Sequence, residues 1–85
     1  MARFEPRFKR SVAKDLRTLP AKDVKKILKR IESLGNDPRG AGCIKLTGKE
    51  YYRVRVGNYR VIYEVRDTEL VALVIKVGHR GCAYE

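Results

Sequence analysis

The 85-residue sequence predicts an α+β fold: an N-terminal helical hairpin packed on one face of a small, mainly antiparallel sheet. Three observations carry that expectation. Two successive segments repeat apolar residues at helical spacing. A central stretch alternates apolar and polar residues on both sides of a Gly-Asn pair, and an almost continuous apolar run follows it. With 44% hydrophobic residues, the chain has material for one small core, so residues 1–85 are read as a single domain.

Taken in order, Ala2–Glu5 reads as a short first strand closed by Pro6, which cannot donate to a ladder but starts helices well. Over Pro6–Leu19, Phe8, Val12, Leu16 and Leu19 share one arc at helical spacing, with Lys9, Arg10, Lys14 and Arg17 outside it. Pro20 marks the break. Ala21–Leu34 keeps the helical spacing with Val24, Ile27, Leu28, Ile31 and Leu34, and Gly35 supplies a C′ position. Lys25, Lys26, Lys29 and Arg30 occupy its exposed face. Asn36–Gly42, NDPRGAG, is a loop by composition. Cys43–Leu46 is a short strand, and Thr47–Glu50 a turn.

The stretch Tyr51–Tyr63, YYRVRVGNYRVIY, is a β-hairpin turning at Gly57-Asn58. A two-residue turn pairs Val56 with Tyr59, Arg55 with Arg60, Val54 with Val61 and Tyr52 with Tyr63. Alternation then sends Val54, Val56, Val61 and Tyr63 to one face and Arg53, Arg55 and Arg60 to the other. Like charges directly opposite each other cost up to about 1 kcal/mol. The plainer reading is a solvated basic face, whereas three guanidinium groups on one patch also form a cradle for an oxyanion such as phosphate.

The strand Tyr59–Val65 leads to a second turn at Arg66–Glu69, and Leu70–Val77 is the last strand. A two-residue turn there sets Arg60 opposite Ile75 and Ile62 opposite Leu73. Leu73 and Ile75 then share the arginine face and need cover from the C-terminal residues or from another chain. The ending, Gly78–Glu85, brings His79, Arg80 and Tyr84 toward the arginines. Alone, each has an ordinary structural explanation; together beside that patch they mark a site.

Twenty Lys and Arg against ten Asp and Glu give a net charge of +10. An excess of that size favours a polyanionic partner, nucleic acid above all, although an acidic protein satisfies the same field. No apolar run approaches the roughly 18 residues of a membrane span, and MARFEPRFKR lacks the apolar core of a signal peptide. Cys43 and Cys82 have no metal-ligand spacing and read as reduced thiols. A cytoplasmic chain with no membrane partner, metal or cofactor is expected.

The order strand–helix–helix–three strands, with LTGKEYYRVRVGNYRVIYEV followed by VIKVGHRGCAY, resembles the RelE/ParE superfamily of prokaryotic toxins, in particular the RelE-type messenger-RNA endonucleases. The resemblance covers nearly the whole chain. It implies the RelE-like fold and the toxin of a type II toxin–antitoxin system that cuts mRNA in the ribosomal A site without metal. It also implies a RelB-like antitoxin that wraps the toxin, blocks the site, and brings it to operon DNA only as a complex; the other partners are mRNA and a 70S-type ribosome. On the family's motif, Arg53 and Arg55 match two basic residues before the hairpin turn, and Arg60 matches the arginine after it. Arg80 and Tyr84 match the terminal arginine and late tyrosine.

Attack of a ribose 2′-OH on the adjacent phosphate needs in-line positioning, stabilisation of added negative charge, and proton transfer. Arg55, Arg60 and Arg80 suit the charge, and Tyr84 suits stacking on a splayed base. One departure matters. The best-known family members carry lysines where this chain has Arg53 and Arg55, and arginine does not give up its proton. His79, the one side chain titrating near neutrality, is the candidate base, with Tyr84 and Glu64 weaker. Two alternatives remain open: a ParE-like DNA gyrase inhibitor, and a non-catalytic RNA- or ribosome-binding module with a degenerate site.

Overall fold

Five strands form one sheet in the order β1-β5-β4-β3-β2. In chain order these are β1 (Glu5–Phe8), α1 (Arg10–Arg17), α2 (Ala21–Leu34), β2 (Ile44–Lys45), β3 (Tyr51–Val56), β4 (Tyr59–Arg66) and β5 (Val71–His79). This is a computed structural model; it describes residues 3–40, 42–46 and 50–79, and of His79 the backbone only. All pairings are antiparallel except β1 with β5. The predicted class holds.

The first strand lies later than predicted. Pro6, Arg7 and Phe8 belong to β1, and α1 starts only at Arg10. The Glu5 and Lys9 amides donate to Leu70 and Val74 carbonyls of the neighbouring strand at 2.7 and 3.0 Å. Period-two alternation turns position 6 outward, where a proline's missing N–H leaves no gap in the ladder. Phe8 therefore leaves the predicted helical stripe and is 43% exposed. Helix α1 ends at Arg17, with Thr18 Oγ1 donating to the Asp15 carbonyl at 2.8 Å.

Helix α2 has the predicted bounds, but Gly35 is not a left-handed cap: its φ is −62°. Glycine is required there by proximity. A Cβ would sit 2.7 Å from the Phe4 carbonyl, and the Phe4 amide donates to the Gly35 carbonyl at 2.7 Å.

The central hairpin has the predicted register throughout, including Arg55 opposite Arg60 and Tyr52 opposite Tyr63. Gly57 takes φ +59° and Asn58 is not left-handed, the signature of a II′ turn. Tyr52 and Tyr63 stack with ring centroids 5.9 Å apart.

The β4–β5 connection departs from the prediction. Arg66 pairs with Val71, not Glu69, and the turn passes through Leu70 at φ +54°. A bulge between Ile62 and Tyr63 adds a further shift. Arg60 thus lies opposite Gly78 and Ile62 opposite Lys76. Leu73, opposite Glu64, does share the arginine face and is half-buried; Ile75 falls at the bulge.

Both helices cover the face opposite the arginines. Val12, Ile27, Ile31 and Leu34 meet Val54, Val61, Tyr63, Val65, Ala72 and Val74, all at most 2% exposed. Among the described residues no helix is long and apolar enough to cross a membrane.

Candidate functional site

Alternation along β3 and β4 places Arg53, Arg55 and Arg60 on the sheet face away from the helices. Direct partners in a sheet have Cα atoms about 4.5–5.5 Å apart, so Arg55 and Arg60 start side by side. Their environments differ: Arg55 is exposed, Arg53 is half-buried and Arg60 is 8% exposed. The Nε of Arg53 is shut off from solvent and meets no acceptor among the described residues, an orphaned donor of the kind native proteins seldom leave. Among the described residues, no carboxylate pairs with Arg53 or Arg55. Gly78, opposite Arg60, brings no side chain of its own.

Of the remaining predicted site residues, Arg80 and Tyr84 lie outside the described residues, as do Cys82 and the side chain of His79. The His79 backbone pairs with Tyr59, one position beyond Arg60 and Gly78. Glu64 is a poor base: it accepts from Arg66 Nε at 3.1 Å, which holds the Arg66 guanidinium in its charged form. Glu64 also lies four residues along β4 from Arg60, about 13 Å. Among the described residues no group of three His, Cys, Asp or Glu side chains is placed to hold a metal.

Two residues passed over in the sequence matter here. Arg30, read as surface decoration on α2, is half-buried; its Nη1 donates to Ser33 Oγ at 3.0 Å and Nη2 lies 4.0 Å from Cys43 Sγ. With Gly42, Ile44, Arg53, Val54 and Arg55 it lines a groove of about 380 Å³ at the edge of β3.

Arg39 ties the segment after α2 to the sheet. It donates to Tyr52 Oη at 2.8 Å, to both Asp67 oxygens at 3.0 and 2.8 Å, and to Glu50 at 3.1 Å. The guanidinium holds the Asp67 carboxyl below the ordinary range, and together with Tyr52 does the same to Glu50. Beneath it, Tyr63 Oη donates to the Pro38 carbonyl at 2.6 Å, and burial pushes that phenol's pKa upward. No local pattern signals Arg39, because its partners come from distant segments, and Arg30 is marked only by the β3 edge and Cys43 brought against it.

A family model described as the ParE toxin of type II toxin–antitoxin systems, parDE, matches residues 4–84. The chain belongs to the RelE/ParE superfamily of type II toxins. Its RelE-type character shows in its relatives. A Methanocaldococcus jannaschii protein named "Putative toxin RelE1" is 33% identical over 87 residues, covering 98% of this chain and 97% of its own. The RelE of a Pyrococcus horikoshii RelE–RelB complex superposes with a TM-score of 0.79 at 29% identity, covering 94% and 98% of the two chains. Isolated Escherichia coli RelE gives 0.81 at 25% identity, covering 95% and 88%.

Proposed function

We propose that this RelE-type chain is a ribosome-dependent endoribonuclease that cuts mRNA in the A site, through attack of a ribose 2′-OH on the adjacent phosphate. The observation that carries the reading is the arginine face itself. Arg55 and Arg60 are held side by side, Arg53 flanks them, and neither Arg53 nor Arg55 is neutralised by a described carboxylate. A structural surface gains nothing from that arrangement, whereas a pentacovalent phosphate with an added negative charge is stabilised by it. RNA supplies its own nucleophile, so the protein's part is positioning, charge and proton transfer.

In this reading Arg60 and Arg80 clamp the scissile phosphate, Arg53 and Arg55 guide the backbone, and Tyr84 stacks on a base. Arginine cannot act as base and Glu64 is held by Arg66, which leaves His79, with Tyr84 behind it. Complexes of RelE with RelB are known from P. horikoshii, E. coli and M. jannaschii. An acidic, RelB-like antitoxin lying across Leu73 and the arginines is the corresponding partner here, and the route to operon DNA. Primer extension on a translated message after induction is the test: new 5′ ends within codons for the wild type, and none for Arg60→Ala, are expected.

One observation favours a second reading. The matching family model is that of ParE, so inhibition of DNA gyrase is the alternative. Blocked supercoiling by the purified chain, with intact messages, selects it.

A further inference from the structure

We propose that the groove at the edge of β3 is a nucleotide subsite that carries single-stranded RNA off the arginine face and around the sheet edge onto α2. The proposal rests on the reading above that single-stranded RNA is the substrate, and adds the path it takes.

The edge is open because β2 is short. It pairs only with Arg53 and Tyr52, so among the described residues Val54–Val56 have no strand beside them on that side. The corresponding stretch of β5, beyond the end of β1, is handled differently: α1 lies against it and Asp15 Oδ2 accepts from the Val77 amide at 3.4 Å. Exposed strand edges are normally covered in some such way. At β3 the space is instead the groove of about 380 Å³.

The walls of the groove match the two halves of a nucleotide. Arg30, Arg53 and Arg55 bring guanidinium groups from α2 and β3, suited to phosphate oxygens. Ile44, 51% exposed, supplies apolar surface for a base or sugar face. A series of cationic side chains running from β3 onto α2 suits the evenly charged backbone of single-stranded RNA.

Beyond Arg30 the basic surface continues. Lys26, Lys29, Arg30 and Ser33 line an adjoining depression on α2. Lys26 and Lys29 are exposed and, among the described residues, no carboxylate pairs with them. Asp23, one turn before Lys26, accepts instead from Tyr59 Oη at 2.8 Å. Arg55 and Arg53, then Arg30, then Lys29 and Lys26 make one continuous track.

Fluorescence anisotropy of the full chain with labelled 2′-O-methyl RNA, which binds without being cut, tests the track. One oligonucleotide of about four nucleotides covers the arginine face, and one of about ten reaches α2. The wild type is expected to bind the longer RNA more tightly and with a steeper salt dependence. Lys26→Ala combined with Lys29→Ala lowers the log–log salt slope for the longer RNA by about 1.4, roughly 0.7 per lost single-strand phosphate contact. The shorter RNA is unaffected. Equal wild-type affinity for both lengths, or an unchanged slope in the double variant, overturns the proposal. So does a double variant that binds both RNAs normally and loses only an acidic partner peptide. Cleavage of a translated message, assayed separately, keeps the two readings apart. Cleavage without length-dependent binding removes the track alone, whereas length-dependent binding without cleavage removes the nuclease reading alone.

Discussion

Replacing Tyr63 with phenylalanine deletes one oxygen from a fully enclosed side chain and should destabilise the protein by about 2 kcal/mol. The hydroxyl donates to the Pro38 carbonyl at 2.6 Å, and Pro38 is itself buried. A net hydrogen bond contributes about 1 kcal/mol, and an orphaned buried carbonyl costs about 1–3 kcal/mol. The lower part of that range applies, because Asp37 and Arg39 on either side are exposed and water can re-enter the loop. The ring stays, so the stack on Tyr52 at 5.9 Å is kept and no cavity opens. For a domain of this size about 2 kcal/mol corresponds to a fall in Tm of about 8–16 °C. Urea unfolding should show a lower midpoint with an unchanged m-value, since the surface exposed on unfolding is the same. A loss below about 0.5 kcal/mol would mean that the Pro38 carbonyl finds another donor, and that Pro38 is not pinned through this bond.

Arg60→Ala should slow cleavage of a translated message by about 10²–10³, the effect of removing one donor to a developing oxyanion, while far-UV circular dichroism stays unchanged. Arg53→Ala should act on binding, reducing the salt slope for single-stranded RNA by about 0.7; a rate defect at saturating substrate would count against its guiding role. Arg39 depresses the folded-state pKa of Glu50 and Asp67. Their contribution is therefore complete above the ordinary carboxylate range and is lost as pH falls through the depressed values. Thermal melts should show a decline below about pH 4 that Arg39→Met flattens, and an unaltered acid limb in that variant would exclude the clamp as its cause. If His79 is the base, His79→Ala should slow single-turnover cleavage and abolish the rise of rate with pH through the histidine's titration. A variant as fast as wild type, with the same profile, passes the role to Tyr84.

How much the sequence revealed depended on how local the determining physics was. The Tyr51–Tyr63 register was legible because a two-residue turn and strict alternation leave one solution, and with it came the shared face of Arg53, Arg55 and Arg60. At the next turn the same logic failed. The chain reverses through Leu70 in a left-handed conformation and then bulges, and leucine gives no hint of positive φ. Pro6 was ambiguous in principle, since its fixed φ suits both a first helical turn and an edge strand. Pairing with Ala72, nearly a chain length away, decided the matter. Arg30 and Arg39 look like any surface arginines until the β3 edge and the Asp67 turn are brought against them. Arg80, Tyr84 and the His79 side chain lie outside the described residues, so the terminal part of the site stands on the sequence resemblance.

The parallel pairing of β1 with β5 has a consequence for biosynthesis. Translation produces Glu5–Phe8 well before its partner Val71–Val74, so the strand must wait for all of the intervening chain before it can dock. Contacts that close so large a loop are entropically unfavourable and form slowly. Until β5 emerges from the exit tunnel, α1 lacks the strand it packs against, and Val12 has no Val74 or Val77 to cover it. A nascent chain that has not yet released β5 is therefore an incomplete fold, with the Arg60 position not yet bounded by Gly78. The arginine face is thus finished only when β5 joins β4 and brings Gly78 opposite Arg60.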